Sequence, residues 1–233
     1  MFIQSATAIR HNAQAIGPAG AARNTLLFAD CPELIGASMS YGRDEEIYGE
    51  GEDAEFVYLV VKGAVRTYKL LSDGRRQIGA FHLEGDLFGF ESGSMHRLSA
   101  EAISKTTVLI FKRRTLEAVA ARDLEVARKL WTLAARSLDH AEQHMLLLGR
   151  KTATERVASF LLEMQQRMNG GASINLPMTR RDIGDYLGLA LETVSRALSQ
   201  LKEEGTVELP DARHIRVQRR SKLQYLADEE YLA

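Results

Sequence analysis

From about residue 40 to 112 the chain alternates short apolar runs with glycines, the texture of strands joined by turns. FVYLVV (56–61) ends at Lys62-Gly63, AVRTYKLL (64–71) at Ser72-Asp73-Gly74, and RRQIGAFHL (75–83) at Glu84-Gly85-Asp86. AEAISKTTVLIFK (100–112) reads as a further strand. Asp-Gly is a hairpin signal, and strands at this spacing suggest a roll or barrel. The period then changes. Residues 114–148 hold no Gly or Pro, and Ala127, Trp131, Ala134, Leu138, Ala141, Met145 and Leu148 step by alternating fours and threes. That average of about 3.5 is the seam of a coiled coil on one long helix. A neighbouring face carries Leu130, Leu133 and Leu147. Gly149-Arg150 interrupts the pattern. A second helix is expected over 152–168, then helical segments at 179–187 and 191–204, and strand-like pieces around Val207 and His214–Val217. The expected class is α+β: a β-roll, a long helix, and a helical domain with a small β wing.

Composition narrows the functions. At 233 residues, 45% hydrophobic and 26% charged, the chain is globular, with room for one or two domains. The single cysteine, Cys31, cannot form an internal disulfide or by itself build a zinc or iron–sulfur site. No apolar run approaches eighteen residues, and no secretory signal is visible, so the expected location is the cytoplasm, without a membrane partner. The expected boundaries are a mobile, Ala-rich arm over 1–30, a β-roll over 31–113, the long helix over 114–149, the helical domain with its β wing over 150–222 and an acidic tail over 223–233.

The strongest motif is RRDIGDYLGLALETVSRALS (180–199). A helix-turn-helix needs a small residue where its helices cross, here Gly184, and a residue tolerant of positive φ in the turn, here Gly188. Ile183, Leu187, Leu189, Val194 and Leu198 have the spacing of core-facing positions. If the second helix starts near 191, then Glu192, Ser195 and Arg196 share one face at its N-terminal end, beside Leu191. Arg196 offers two donors to guanine, Glu192 accepts from cytosine, Ser195 bonds several base edges, and Leu191 suits a thymine methyl. Glu192 and Arg196 also have the spacing of an intrahelical ion pair, which would pre-position the guanidinium.

The formal net charge of −1 conceals an asymmetry. Residues 150–222 hold thirteen Lys or Arg against nine Asp or Glu, a net of +4, whereas 1–149 hold seventeen against nineteen, a net of −2. Asp228, Glu229 and Glu230 supply the other three negative charges. Arg180, Arg181, Arg213 and Arg216, with Arg219 and Arg220, are candidates for phosphate contacts.

Together VYLVVKGAVRTYKLLSDGRRQIGAFHLEGDLFGF and DYLGLALETVSRALSQL resemble the CRP/FNR family of bacterial transcription regulators over nearly the whole chain. The resemblance implies a cyclic-nucleotide-binding-type β-roll, a dimerisation helix and a C-terminal winged helix-turn-helix. Glu192, Ser195 and Arg196 look like the E-x-x-S-R signature of the FNR and FixK branches. That likeness implies palindromic double-stranded DNA with half-sites similar to TTGAT. It also implies homodimers that activate microaerobic, nitrogen-oxide or nitrogen-fixation genes by recruiting RNA polymerase.

Departures from the family sharpen the expectation. Cys31 alone cannot hold the oxygen-sensing cluster of FNR. The cAMP branch needs an adjacent Arg-Ser pair on the cyclic phosphate; the corresponding stretch is Met95-His96-Arg97-Leu98-Ser99, where Arg97 and Ser99 are separated. A FixK-type regulator with no cofactor fits best. The alternative is a regulator of the same architecture whose roll takes an unidentified effector. A metalloenzyme on the roll would need clustered histidines, and His82 and His96 are isolated. His140, Glu142 and His144 (HAEQH) lack the zinc-protease order and are expected as exposed residues beside the seam. Cys31, beside Pro32, reads as a plain thiol.

Overall fold

The computed structural model describes residues 34–168 and 171–228, so Cys31, the expected arm and the acidic Glu229 and Glu230 lie outside the described residues. Eight strands form two antiparallel four-stranded sheets. They are β1 (Ala37–Tyr41), β2 (Glu46–Tyr48), β3 (Phe56–Lys62), β4 (Val65–Leu70), β5 (Arg76–His82), β6 (Leu87–Phe88), β7 (Ser99–Ala102) and β8 (Thr106–Lys112). The sheet orders are β1-β8-β3-β6 and β2-β7-β4-β5. The apolar runs beginning at 56, 64 and 75 are β3, β4 and β5. The run over 100–112, read as one strand, is two strands in different sheets. At the corner between them the Ile103 N–H donates to the Ala64 carbonyl at 3.0 Å, and the Thr106 hydroxyl donates to the same carbonyl at 3.0 Å. Tertiary partners turn the chain there, although β-branched residues run on.

Aromatic side chains fill the interior of the roll. Tyr41, Tyr48, Tyr58 and Phe88 pack with Val60, Val65 and Val108 in one buried cluster. The buried His96 ring stacks on Tyr48, with centroids 3.6 Å apart.

The segment read as one helix over 114–149 is two: α1 (Arg113–Ala120) and α2 (Leu124–Arg150). Asp123 causes the break. Its carboxylate accepts from the backbone N–H groups of Glu125 and Val126, capping α2 and ending the α1 direction. Val126 and Leu130 pack with Leu116, Val119, Val57 and Leu59, so α2 leans on its own roll at its N-terminal end. Gly149 and Arg150, which interrupt the apolar pattern, are the last residues of α2, and the chain leaves the helix at Lys151. α3 (Ala153–Arg167) then starts, with the Glu155 carboxylate accepting from the Thr152 N–H at 2.8 Å.

Beyond α3 come β9 (Ser173–Asn175), α4 (Arg180–Leu187), α5 (Leu191–Glu203), β10 (Val207–Glu208), β11 (His214–Val217) and α6 (Arg220–Asp228). The wing has three strands, ordered β10-β11-β9, because the stretch before Pro177 joins the expected pair. Residues 223–228, assigned to a tail by charge, lie in α6, which buries Leu223 and Ala227. One hydrophobic cluster crosses the domain boundary, joining Ile78, Phe81 and Ile103 of the roll to Phe160, Tyr186 and Leu198. Phe81 meets Phe160 edge-on at 6.2 Å and Tyr186 at 5.1 Å. Among the described residues no helix is long and apolar enough to cross a membrane.

Candidate nucleic-acid interface

α4 starts at Thr179 through a reciprocal cap. The Thr179 hydroxyl accepts from the Asp182 N–H at 3.2 Å, and the Asp182 carboxylate accepts from the Thr179 N–H at 2.9 Å. α4 stops at Gly188, whose φ of +64° is the left-handed conformation that glycine adopts without steric cost. The Leu189 N–H then donates back to the Gly184 carbonyl at 2.9 Å. A Cβ at Gly184 would stand 2.6 Å from the Leu189 carbonyl oxygen, so the two helices cross this closely only around glycine.

The turn delivers α5 with one face sunk and one face out. Val194, Leu198 and Leu201 are buried in the shared core. Leu191, 42% exposed, lies with the exposed Glu192 and Arg196 on the outer face of the N-terminal end. Ser195 is half-buried and accepts from Arg180 Nη1 at 3.4 Å. The expected Glu192–Arg196 ion pair does not form. Arg196 Nε lies 3.5 Å from the Glu192 backbone carbonyl oxygen instead, and no ion pair between the two side chains occurs among the described residues. Both ends of the pair are therefore available to base edges.

The candidate phosphate-binding arginines differ in availability. Arg181 is exposed, Arg180 and Arg213 are half-buried, and Arg216 is exposed but ion-paired to Glu208 at 3.0 Å. Asp211 shapes the turn of the wing. It accepts from the N–H groups of Arg213 and His214, and these bonds pull its pKa down to about 2.

Along α2 the seam separates into two parts. Leu124, Trp131, Leu138 and Met145 are 66%, 77%, 60% and 65% exposed and lie seven residues apart, with Ala134 and Ala141 also exposed. Leu148, expected on the same seam, packs into its own chain's core. The histidines of HAEQH also depart from expectation. Glu142 is exposed, but His140 Nε2 lies 3.0 Å from the Tyr186 hydroxyl and 3.2 Å from Glu163, and His144 Nε2 donates to the Tyr186 carbonyl at 2.9 Å. Tyr186, hidden in the middle of the helix-turn-helix motif, draws both rings inward. No group of three His, Cys, Asp or Glu side chains is placed to hold a metal ion among the described residues.

The cyclic nucleotide-binding domain family matches residues 38–123, and the Crp-like helix-turn-helix domain family matches residues 155–226. The chain is 47% identical over 197 residues to the nitrogen fixation regulation protein FixK of Azorhizobium caulinodans, covering 82% of this chain and 79% of that protein. The chain belongs to the CRP/FNR family. It is a transcription regulator of the FixK type rather than an enzyme. It is also 46% identical to the FixK protein of Rhizobium meliloti, covering 84% of this chain and 89% of that one. The solved structure of FixK2 from Bradyrhizobium japonicum is 63% identical with a TM-score of 0.80, covering 83% of this chain and 98% of that chain.

The polar residues that hold this CRP/FNR reader in place are not evident from sequence. Asp182 accepts from Arg66 and Arg76 of the roll, and Arg156 donates to the carbonyls of Leu148 and Lys151 at the end of α2 and of Leu187 at the end of α4. The one local signal was Thr179 with an acidic residue three positions on, the spacing of a helix cap.

Proposed function

We propose that the chain is a dimeric transcription activator that binds palindromes of TTGAT-type half-sites in the cytoplasm, recruits RNA polymerase and needs no small-molecule effector. Its targets are microaerobic, nitrogen-oxide and nitrogen-fixation genes, the last in keeping with the relatives described as nitrogen fixation regulation proteins. One observation carries the reading: Leu191, Glu192 and Arg196 stand together on the outer N-terminal face of α5 while Val194, Leu198 and Leu201 anchor its inner face. Arg196 suits a guanine and Glu192 the cytosine of a neighbouring or paired position, which a G·C-containing half-site supplies.

Two further features support parts of the proposal. The heptad-spaced Leu124, Trp131, Leu138 and Met145 form an apolar stripe that a second copy's α2 would cover. Effector independence is supported by the aromatic filling of the roll and by the ties of the candidate phosphate donors: Arg97 Nε donates to Glu91 at 3.0 Å, and the Ser99 hydroxyl accepts from the Glu50 N–H at 3.0 Å.

The test is a titration of ligand-free full-length protein onto a TTGAT palindrome and onto a duplex of scrambled sequence. The expected preference is about 10³-fold or more at physiological salt. Equal binding to the two duplexes would overturn the reading. A preference that emerged only on adding a cyclic nucleotide or other small molecule would overturn its effector-independent part.

A further inference from the structure

α4 is held from outside the helix-turn-helix at each of its turns. In its first turn Asp182 accepts from Arg66 Nη1 at 3.0 Å and Arg76 Nη2 at 2.7 Å, and in its second turn Asp185 accepts from Arg76 Nε at 2.9 Å. Beside Asp185, the Tyr186 ring stacks on His144 at 4.1 Å, and its carbonyl also accepts from Gln77 of β5 at 3.2 Å. At its C-terminal end the Leu187 carbonyl accepts from Arg156 Nη1 at 3.0 Å. The same guanidinium donates to the carbonyls of Leu148 at 2.7 Å and Lys151 at 2.9 Å. Arg156 therefore ties the last turn of α4 to the end of α2, and Arg76 ties both turns of α4 to the roll.

The reader has an apolar core in addition to these ties. Ile183, Leu187, Val194 and Leu198 already bury the inner faces of α4 and α5 in the core. Buried ion pairs pay for desolvation with little net stability, and guanidinium forks impose direction as well as attraction. Arg76 grips a side chain on each turn of this short helix and Arg156 holds its last carbonyl, which constrains its rotation and not only its position. α5 leaves α4 through the close Gly184 crossing, so fixing α4 fixes α5.

We infer that Arg76 and Arg156 are positioning residues that set the half-site spacing the regulator accepts. They act by fixing the angle between α5 and α2 and contact no DNA themselves. This inference rests on the dimeric reading proposed above. In a two-fold dimer joined along α2, any rotation of α5 relative to α2 appears twice. One base pair of spacer turns one half-site by about 35° relative to the other, since a turn holds roughly 10–10.5 base pairs. A reader locked at both ends of α4 cannot follow that rotation, whereas an unlocked one can.

The experiment measures affinity of the full-length protein for duplexes carrying the same two half-sites with the central spacer lengthened or shortened by one and two base pairs. A duplex with one half-site and a scrambled duplex serve as references. The wild type is expected to favour its best spacing over a one-base-pair shift by about tenfold, comparable to one mismatched base pair. In Arg76→Gln, Asp185→Asn and Arg156→Gln that preference is expected to fall to about threefold or less, with discrimination between one half-site and scrambled DNA unchanged. Asp185→Asn preserves side-chain volume at a half-buried position, so it probes the same ion pair should Arg76→Gln fold poorly. A purely structural role would lower the unfolding temperature and weaken all duplexes alike. A wild-type spacing profile in folded variants would overturn the inference alone. A wild type that bound one half-site as tightly as the palindrome would overturn the dimeric reading, and the inference with it.

Discussion

Arg66 on β4 donates to Asp182 on α4 at 3.0 Å, joining two residues 116 positions apart in the chain. Their side chains are only 7% and 4% exposed. Burial alone would raise the Asp182 pKa; the Thr179 hydrogen bonds and the charges of Arg66 and Arg76 outweigh it and hold the carboxyl below its usual range. Asp182→Ala removes an acceptor from both arginines and half of the α4 cap. Arg66 keeps Glu101 at 2.5 Å and Asp44 at 3.1 Å, so the expected cost is near the lower end for a broken buried pair, about 3 kcal/mol. Glu50→Ala, which breaks the exposed pair with Lys69, should cost about 1 kcal/mol or less. Urea denaturation of both variants checks the contrast, and equal small losses would show that the domain contact is energetically idle.

Arg196→Ala should cost about 1–3 kcal/mol per half-site and relax specificity at the guanine. Because Arg196 makes no side-chain ion pair with Glu192, little of that loss should be intrahelical, and the unfolding temperature should stay near the wild type. Binding to the TTGAT palindrome and to variants at each base pair, measured at one salt concentration, tests this. An equal loss on specific and random DNA would reassign Arg196 to the phosphate backbone.

Gly184→Val should damage the helix-turn-helix without touching the exposed residues on the outer face of α5. The added Cβ meets the Leu189 backbone oxygen, which cannot swing aside as a side-chain tip would. Forced overpacking of this kind costs about 1–3 kcal/mol. The expected result is a lower unfolding midpoint together with weakened DNA binding. A variant with wild-type stability would show that the turn can widen freely.

The helix-turn-helix is legible in sequence because its constraints are local. Gly184, Gly188 and the apolar positions of α4 and α5 lie within twenty residues, and each is dictated by contacts inside that window. What lies outside the window is not legible. His140 and His144 read as exposed because their partner, Tyr186, is 46 and 42 positions away. Leu148 fits the seam by spacing, yet the core beneath α4 claims it. The break before α2 escapes notice because Asp123 resembles any polar residue in a helical run until its carboxylate is seen capping two N–H groups. Likewise, the residues 100–112 have strand character throughout, and only their packing against Ala64 shows the corner.

Stability should fall with acid before most carboxylates titrate. Burial pushes the His82 pKa from 6.5 down to about 4, with the charges of Arg167 and His140 adding to the effect and Asp86 opposing it. His144 and His96 shift in the same direction, chiefly through burial. Between pH 6.5 and 4 the unfolded chain therefore binds protons that the folded chain refuses, so these groups' contribution is complete above pH 6.5 and drains away as the pH falls towards 4. Unfolding temperatures across that range should decline for the wild type and decline less steeply for His82→Leu. Identical slopes would assign the acid sensitivity to other groups.

Leu138→Glu tests the exposed stripe of α2. Leu138 is the third of four heptad-spaced apolar residues, and at 60% exposure it contributes little to the fold of its own chain. Replacing it should leave the unfolding temperature of the isolated chain within about 0.5 kcal/mol equivalent, the usual range for surface changes. In a two-fold pairing of α2 helices, however, the same change places two carboxylates near one another in an apolar seam, where like charges repel and neither has a partner. Sedimentation at micromolar concentration should then show monomers, and affinity for the palindrome should fall towards that for a single half-site. A variant that stayed dimeric would move the interface off this stripe. The exposure of Trp131 and Met145 would then need another partner to account for it.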